Sequence, residues 1–372
     1  LEALSWSDLP RTEWELIVVD DASTDDTASI AAEYADLLVR LPGKSYGPAY
    51  ARNRGFEFTR GEYIAFIDAD VCVHRDTLAR FVLVLSREPQ VSAAFGAFDT
   101  NPAAKGLVSQ YHNLLAHYYH QQYPGPAETF WASCGAIRRT AFLEAGMFDE
   151  WRFPRPQVED FELGYQLRQR GHRIVLRPEI QATSLRRWTL RRILAADLHD
   201  RSVPWMRIFG RRDAALRRRK TRLRTVKSVN TALMWLAVAF TLGSLVSGRA
   251  GLLIGAGASL LLVVMNDRAQ HRFFARERGG WFALAVVPVR LLSYLLNGMA
   301  VTIGWLLREL LGEPAPHPMV EAFAELGLKT WPPVPAKRDR PATSQSDVAT
   351  GGARAAGTKI SVTTPSSRVG GT

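Results

Sequence analysis

The sequence predicts an α/β domain with a mostly parallel sheet, followed by apolar helices of membrane-spanning length. Three observations carry that expectation. Short apolar runs such as Glu15–Asp20, Glu62–Asp68 and Val91–Phe98 alternate with stretches of helical spacing. The first two of these runs end in acidic residues, which places polar loops at the carboxyl ends of buried strands. After Arg224 the composition changes to long runs almost free of charge.

In chain order, Leu1 to Trp6 reads as a short helix, and the chain opens on Leu rather than Met. Glu15-Leu-Ile-Val-Val-Asp20 is the first buried strand, followed by helical spacing from Thr27 to Leu38. Gly47 to Thr59 and Arg75 to Arg87 are further helices flanking the second strand at Glu62–Asp68. A helix beginning near Val158 is expected to run to about Arg170 and stop at Gly171. Strands and helices alternating at this length imply parallel pairing with helices on both faces. In such sheets a ligand sits beyond the carboxyl ends of the strands, where both acidic clusters fall.

The formal net charge of +11 invites a nucleic-acid partner, but the excess is local. Ten Lys/Arg and one Asp lie between Arg207 and Lys227, directly before the first apolar run. A basic cluster in that position marks a cytoplasmic flank that attracts anionic lipid. No DNA or RNA module accompanies it, so membrane lipids are expected as partners and nucleic acid is not. Val229–Val246 is 18 residues without charge, and Gly251–Met265 is apolar over 15; together they read as a helical hairpin. Arg268, Arg272, Arg276 and Arg278 restore a basic flank. Trp281–Leu307 is a third apolar segment interrupted by Pro288 and Arg290, and the pattern leaves open whether it spans. The two cysteines, Cys72 and Cys134, form no CxxC pattern, which fits a reducing compartment. From about Trp331 the tail is rich in Pro, Ala, Gly, Ser and Thr and is expected to lack regular structure. The expected organisation is a catalytic domain over 1–210 and a basic linker over 211–228. A membrane region over 229–311 (hairpin 229–265, third segment 281–307) and a tail over 312–372 complete it.

Four clusters carry side chains suited to chemistry. Asp68-Ala69-Asp70 puts two carboxylates at a strand end, the kind of hard oxygen pair that holds Mg²⁺ together with phosphate oxygens. As an isolated tripeptide it reads equally as a solvated turn. Asp20, Asp21 and Ser23 can accept hydrogen bonds from a base or ribose, and they also suit the start of a helix. Arg52 and Arg54 can meet phosphates, or form surface ion pairs. Glu159 and Asp160 supply a carboxylate able to take a proton, or an ordinary acidic first turn.

The order Val18-Val-Asp-Asp-Ala-Ser-Thr-Asp-Asp-Thr27, Ala51-Arg-Asn-Arg-Gly55, Asp68-Ala-Asp70, Gly146-Met-Phe-Asp-Glu150 and Glu159-Asp160 resembles a family-2 glycosyltransferase with the GT-A fold over roughly residues 1–210. That resemblance implies a transferase using a nucleotide diphosphate-sugar donor and a divalent metal, Mg²⁺ or Mn²⁺. Asp20, Asp21, Ser23, Arg52, Asn53 and Asp68 would bind the donor, and Asp70 with Asp68 would hold the metal. Asp160 would be the general base of an inverting displacement, supported by Glu159. Gly135, within Trp131–Ala136, would lie on the acceptor side with Arg187 and Trp188. Relatives begin with an apolar strand ending in Pro-x-Tyr/Phe-Asn, which this chain lacks at its start, so an N-terminally incomplete domain is expected. Ser184 stands where many relatives have His, and where processive synthases have the Gln of a Gln-x-x-Arg-Trp motif.

The resulting expectation is sugar transfer to a lipid-linked or envelope glycan acceptor by a multi-pass plasma-membrane protein with a cytoplasmic catalytic domain. A non-catalytic nucleotide-sugar-binding membrane protein and a processive polysaccharide synthase are the alternatives. A sugar nucleotidyltransferase would need a Gly-rich phosphate loop after its first strand, and none is visible.

Overall fold

The computed structural model describes residues 1–209, 222–312, 337–339 and 359–366. The basic cluster between Arg207 and Lys227 lies mostly outside the described residues, as does most of the tail. Two compact units are present: one built from Leu1–Ala103, Tyr119–Arg186 and the C-terminal strands, the other from Ala104–Tyr118 and Arg187–Pro314.

The first unit is a sheet flanked by helices. After a one-turn helix α1 (Glu2–Ser5), strand β1 (Trp14–Asp20) leads into helix α2 (Thr27–Tyr34) and strand β2 (Leu37–Arg40). Helix α3 (Pro48–Phe56), strands β3 (Tyr63–Ile67) and β4 (Val71–Val73), helix α4 (Thr77–Arg87) and strand β5 (Val91–Phe98) follow. Helix α5 (Leu107–Gln122), most of which belongs to the second unit, then precedes strands β6 (Gly125–Ala127) and β7 (Cys134–Arg138). Helices α6 (Arg139–Ala145) and α7 (Glu159–Gln169) and strand β8 (Arg173–Ser184) complete the run, with two strands from the tail, β9 (Lys337–Asp339) and β10 (Ile360–Ser366). The strand order is β4-β8-β5-β7-β3-β10-β1-β2-β9, with β6 paired to β8.

Two expectations are corrected here. The helix expected over Thr27–Leu38 stops at Tyr34, because Ala35 turns extended and Asp36 accepts a hydrogen bond from the Leu16 amide at 2.8 Å. Residues 37–40 then pair with β1, so sheet pairing overrides local helical spacing. The sheet is also mixed rather than mostly parallel. β1, β2, β3 and β10 run parallel, but β7 enters antiparallel between β3 and β5. β6 and β7 run in the same direction, both opposite to β5 and β8, so the chain reverses between β5 and β6 rather than in the loop 128–133.

The position between β1 and β3 is filled by β10. Its residues pair in parallel with Trp14–Asp20 on one side and with Tyr63–Phe66 on the other. Ile360 and Val362 are buried with Leu16, Val18, Tyr63 and Ala65, while Ser361 and Thr363 are buried on the opposite face. Gly55 explains itself by this strand: a Cβ there would fall 2.3 Å from the Thr363 methyl. The tail expected to lack regular structure thus contributes a central strand. The alternation Ile360-Ser-Val362-Thr and its β-branched content were the available signal.

The second unit is helical. Helices α8 (Leu190–Ala195) and α9 (Val203–Phe209) precede α10 (Arg222–Ser247) and α11 (Leu252–Asn266). These two pack as the expected hairpin, with Phe240 against Gly255 and a turn that places Gly248 at φ +67°. Helix α12 (Arg268–Arg278) departs from α11 by 61°. The third apolar segment is two helices, α13 (Gly280–Ala285) and α14 (Val287–Leu311), broken at Val286 just before Pro288. Where α10, the α11–α12 bend and α14 meet, Asp267 accepts from Arg290 Nε at 2.9 Å, from Tyr294 Oη at 2.9 Å and from Asn230 Nδ2 at 3.1 Å.

Candidate active site

The site lies beyond the carboxyl ends of the strands of the first unit, as strand-end acids require. At the end of β1, Asp20 is buried and accepts from the Ser23 amide at 3.0 Å, with the Arg40 guanidinium 3.7 Å away. Asp21 turns the other way. It accepts from Ser45 Oγ (2.6 Å) and from the amides of Tyr46 (2.8 Å) and Gly47 (2.9 Å), so it holds the loop that starts α3. Burial raises its pKa above the ordinary carboxylate value despite those three donors. Gly47 has φ +89°, and a Cβ there would strike the Pro154 carbonyl at 2.7 Å, so the loop must pass close to the segment leading into α7.

Every residue of α3 is buried, so its cations are internal groups rather than surface charges. Arg52 donates to Asp68 Oδ1 at 2.8 Å and to Glu159 Oε1 at 3.0 Å. One guanidinium therefore ties the end of β3 to the first turn of α7. Asn53 donates to the Phe148 carbonyl (2.9 Å) and to Glu150 (2.6 Å), and accepts from the Phe148 amide (3.1 Å). It thereby fixes the Gly146–Glu150 turn. Arg54 pairs with Glu57 at 2.7 Å, with Glu150 at 3.5 Å. Arg52 and Asn53, expected at the donor, are thus engaged within the protein.

Asp68 Oδ2 also accepts from Ser133 Oγ at 2.5 Å. Burial would raise the Asp68 pKa, but the Arg52 charge and the Ser133 and Arg52 hydrogen bonds outweigh it and lower the value. Asp70 behaves oppositely: burial and the neighbouring Asp68 raise its pKa against the Arg186 charge. Arg186 Nε donates to Asp70 Oδ2 at 2.5 Å, and the Leu185 amide to the Asp70 carbonyl at 2.9 Å. Arg186 is the residue that sequence reasoning passed over in favour of its neighbour. Spacing by two from Ser184, the last residue of β8, is the signal that sets it apart from Arg187. Arg187 and Trp188 belong to the second unit, where Trp188 stacks on His112 (centroids 4.2 Å apart) and its backbone pairs with Ser109.

Glu159 and Asp160 open α7. Glu159 is buried and accepts from Arg52 and from the Gln157 amide at 2.9 Å. Asp160 is half-buried, accepts the Phe161 amide at 2.9 Å, and has its pKa raised to about 7 by burial and by the Glu159 charge. Gly164 lets this helix press on the 129–130 backbone, since a Cβ would fall 2.5 Å from the Phe130 amide nitrogen. Gly135 sits in β7 with no room for a side chain, its Cβ position being 2.5 Å from the Trp131 carbonyl.

Two carboxylates at one strand end, one of them partly open, fit a hard divalent cation that takes its remaining oxygens from a diphosphate. Among the described residues no group of three His, Cys, Asp or Glu side chains converges as a metal cage. A cation at Asp70 would meet the Arg186 guanidinium already paired with Oδ2.

Residues 2–146 match the sequence profile described as Glycosyl transferase family 2. That segment belongs to glycosyl transferase family 2. It is 38% identical over 82 residues to the poly(ribitol-phosphate) beta-N-acetylglucosaminyltransferase TarS of Staphylococcus aureus, covering 21% of this chain and 14% of that protein. The probable glycosyltransferase YdaM of Bacillus subtilis is 26% identical over 178 residues, 44% of this chain and 41% of that one. The chain therefore spans less than half the length of either curated relative. Among solved structures, a mannosyltransferase from Pyrobaculum calidifontis in complex with GDP-Man and Mn²⁺ aligns over 82% of this chain and 81% of that one, at 20% identity and a TM-score of 0.42. The family 2 segment covers the strand ends that carry Asp20, Asp21, Asp68 and Asp70, and it ends at Gly146, before Glu159 and Asp160.

Proposed function

We propose that the protein transfers a sugar from a nucleotide diphosphate-sugar to a glycan acceptor, lipid-linked or part of the cell envelope. The carrying observation is the arrangement at Arg52. That residue joins Asp68, at the donor end of β3, to Glu159, beside Asp160, whose pKa burial and the Glu159 charge raise to about 7. A carboxylate with that affinity is matched to taking a proton near neutral pH. In the proposed reaction the acceptor hydroxyl oxygen forms the new bond to the sugar's anomeric carbon, and its proton passes to Asp160. The bond to the diphosphate breaks and its electron pair leaves with the phosphate oxygen, inverting the anomeric centre. Asp70 and Asp68 would hold a divalent ion, which supplies neutralising charge for the departing diphosphate. Asp20 and Ser23 are assigned to the nucleoside, with Asp21 holding the adjoining loop.

Two helices, Val226–Ser247 and Gly280–Leu311, are long and apolar enough to cross a membrane, and the basic stretch from Arg207 precedes the first. They support a membrane-bound enzyme that meets its acceptor and anionic lipid at the cytoplasmic face. Nucleotide release from a panel of donor sugars, with and without Mn²⁺, tests the assignment on membranes bearing the full chain. Asp70→Ala is expected to abolish release, and undiminished metal-independent activity in that variant would refute the metal role. Polymer longer than one added sugar in the same assay would favour processive synthesis.

A further inference from the structure

If the apolar helices enter a bilayer, as proposed above, two independent contacts fix where the chain stands before and after them. The first lies within the helical unit. Arg207 in α9, before the first apolar helix, donates through Nε to the carbonyl of Gly312, directly after α14, at 3.1 Å. An arginine side chain is short beside the roughly 30 Å of hydrocarbon in a bilayer, so these two points share one face. The second lies in the sheet. Strands β1 and β3 precede all the apolar helices and β10 follows them, yet β10 pairs with both. A β-ladder cannot form across a bilayer, so the chain emerges on the face where it entered.

The helices between can be counted on the same logic. The α10–α11 hairpin leaves and returns: Asn266 Nδ2, at the end of α11, donates to Asn230 Oδ1, near the start of α10, at 2.9 Å. Asp267 then bonds the same Asn230. The chain is back on its entry face at Asp267, and it is on that face again at Gly312. Only one long helix, α14, lies between α12–α13 and Gly312, and a single helix cannot cross and return.

We infer that the protein crosses the membrane twice, through the α10–α11 hairpin alone. On this reading α13–α14 lies along the membrane surface on the catalytic face, as a lipid-docking element. Its sidedness agrees. Arg290, Tyr294, Gly298 and Gly304 turn inward, whereas Val301, Ile303, Leu306 and Leu310 are exposed. Trp281 (84% exposed) and Trp305 (54%) supply the amphipathic rings that settle at headgroup level. This segment is long and apolar enough to span, and it is the contacts at its two ends that keep it on one face. The two-crossing topology also lets β10, made after the membrane region, return to the sheet begun before it.

The test uses the full chain in sealed vesicles, in a background with Cys72→Ala and Cys134→Ala. Glu15→Cys with Ser361→Cys probes the β1–β10 pairing, since Ser361 Oγ donates to Glu15 Oε1 at 2.6 Å. Oxidation is expected to give an intramolecular cross-link, and its absence, or cross-linking only between copies, overturns the inference. Ser7→Cys, Gly248→Cys and Ser346→Cys are then labelled singly with a membrane-impermeant maleimide. Ser7 and Ser346 are expected to react from one face and Gly248 from the other. Labelling of Ser346 from the face opposite Ser7 means a third crossing and overturns the inference while leaving the membrane reading intact. Recovery of the protein in the supernatant after carbonate extraction removes both.

Discussion

Two of the buried charged clusters among the described residues differ in one respect, and the difference separates structure from chemistry. In the helical unit Asp267 faces one cation, Arg290, and also accepts from Tyr294, Asn230 and Gln270. Charge is balanced, and the cluster clasps α10, the α11–α12 bend and α14 together. At the strand ends Arg52 serves two carboxylates, Asp68 and Glu159, with Asp160 a third close by. There the acids outnumber the cation; burial raises the pKa of Asp160 and of Asp70, and the neighbouring carboxylates Glu159 and Asp68 add to it. Surplus negative charge held in place is what a metal and a transferable proton require. A balanced pair requires nothing further.

The largest expected effect breaks the surplus. Asp160→Asn is expected to lower kcat for sugar transfer by about 10²–10⁴-fold while leaving nucleotide diphosphate binding nearly unchanged, as measured by steady-state kinetics and direct titration. A loss smaller than tenfold would move the proton acceptor elsewhere. Arg52→Ala is next. It leaves Asp68 and Glu159 buried without their shared cation, and should destabilise the sheet unit by about 3–5 kcal/mol in thermal unfolding, with Arg52→Lys intermediate because one ammonium cannot span both partners.

The balanced cluster should answer differently to removal of one partner or of both. Arg290→Leu alone is expected to cost about 3–5 kcal/mol, whereas Arg290→Leu with Asp267→Leu should recover much of it, because no unpaired charge remains buried. A double variant as damaged as the single would mean that Asp267 does more than hold helices.

A pH series sharpens the comparison with a smaller effect. The raised Asp160 pKa means that the folded state holds a proton the unfolded chain gives up at lower pH. Its contribution to stability therefore falls as pH rises from about 4 to about 7. Activity is expected to move the opposite way, since the proposed base must be ionised. The acid limb of kcat/KM should bend near pH 7 and vanish from the residual rate of Asp160→Asn. The smallest effect is expected at Arg186→Ala. That pair is partly exposed, so stability should change by about 1 kcal/mol or less. Apparent Mn²⁺ affinity, read by titrating nucleotide binding, should rise because the guanidinium competes for Asp70.

Much of the site could be read from the residues. Asp20, Asp68, Asp70, Glu159 and Asp160 stand at strand and helix ends because apolar runs of strand length, and a helical run after Val158, stop there. What spacing could not assign was the partner of each group. Arg52 and Asn53 look like solvent-facing cationic and polar residues on a helix. They are internal because α3 is covered on every side, by β10 through Gly55 and by the Phe148 turn through Asn53. Arg186 and Arg187 are adjacent and chemically alike, and only the direction of β8 separates the one that meets Asp70.

The sequence by itself determined the alternation of strands and helices, the acids at their ends and the apolar character after Arg224, because periodicity and burial act on neighbours in the chain. The tertiary structure decided what depends on distant pairing. It placed Ile360–Ser366 at the centre of a sheet begun more than three hundred residues earlier. It turned β7 antiparallel, and it joined Asp68 to Glu159 through one guanidinium. The physical reason is common to all three. A strand's place, its direction and a buried charge's partner are set by the surfaces that close around them, and those surfaces come from segments far apart in the sequence.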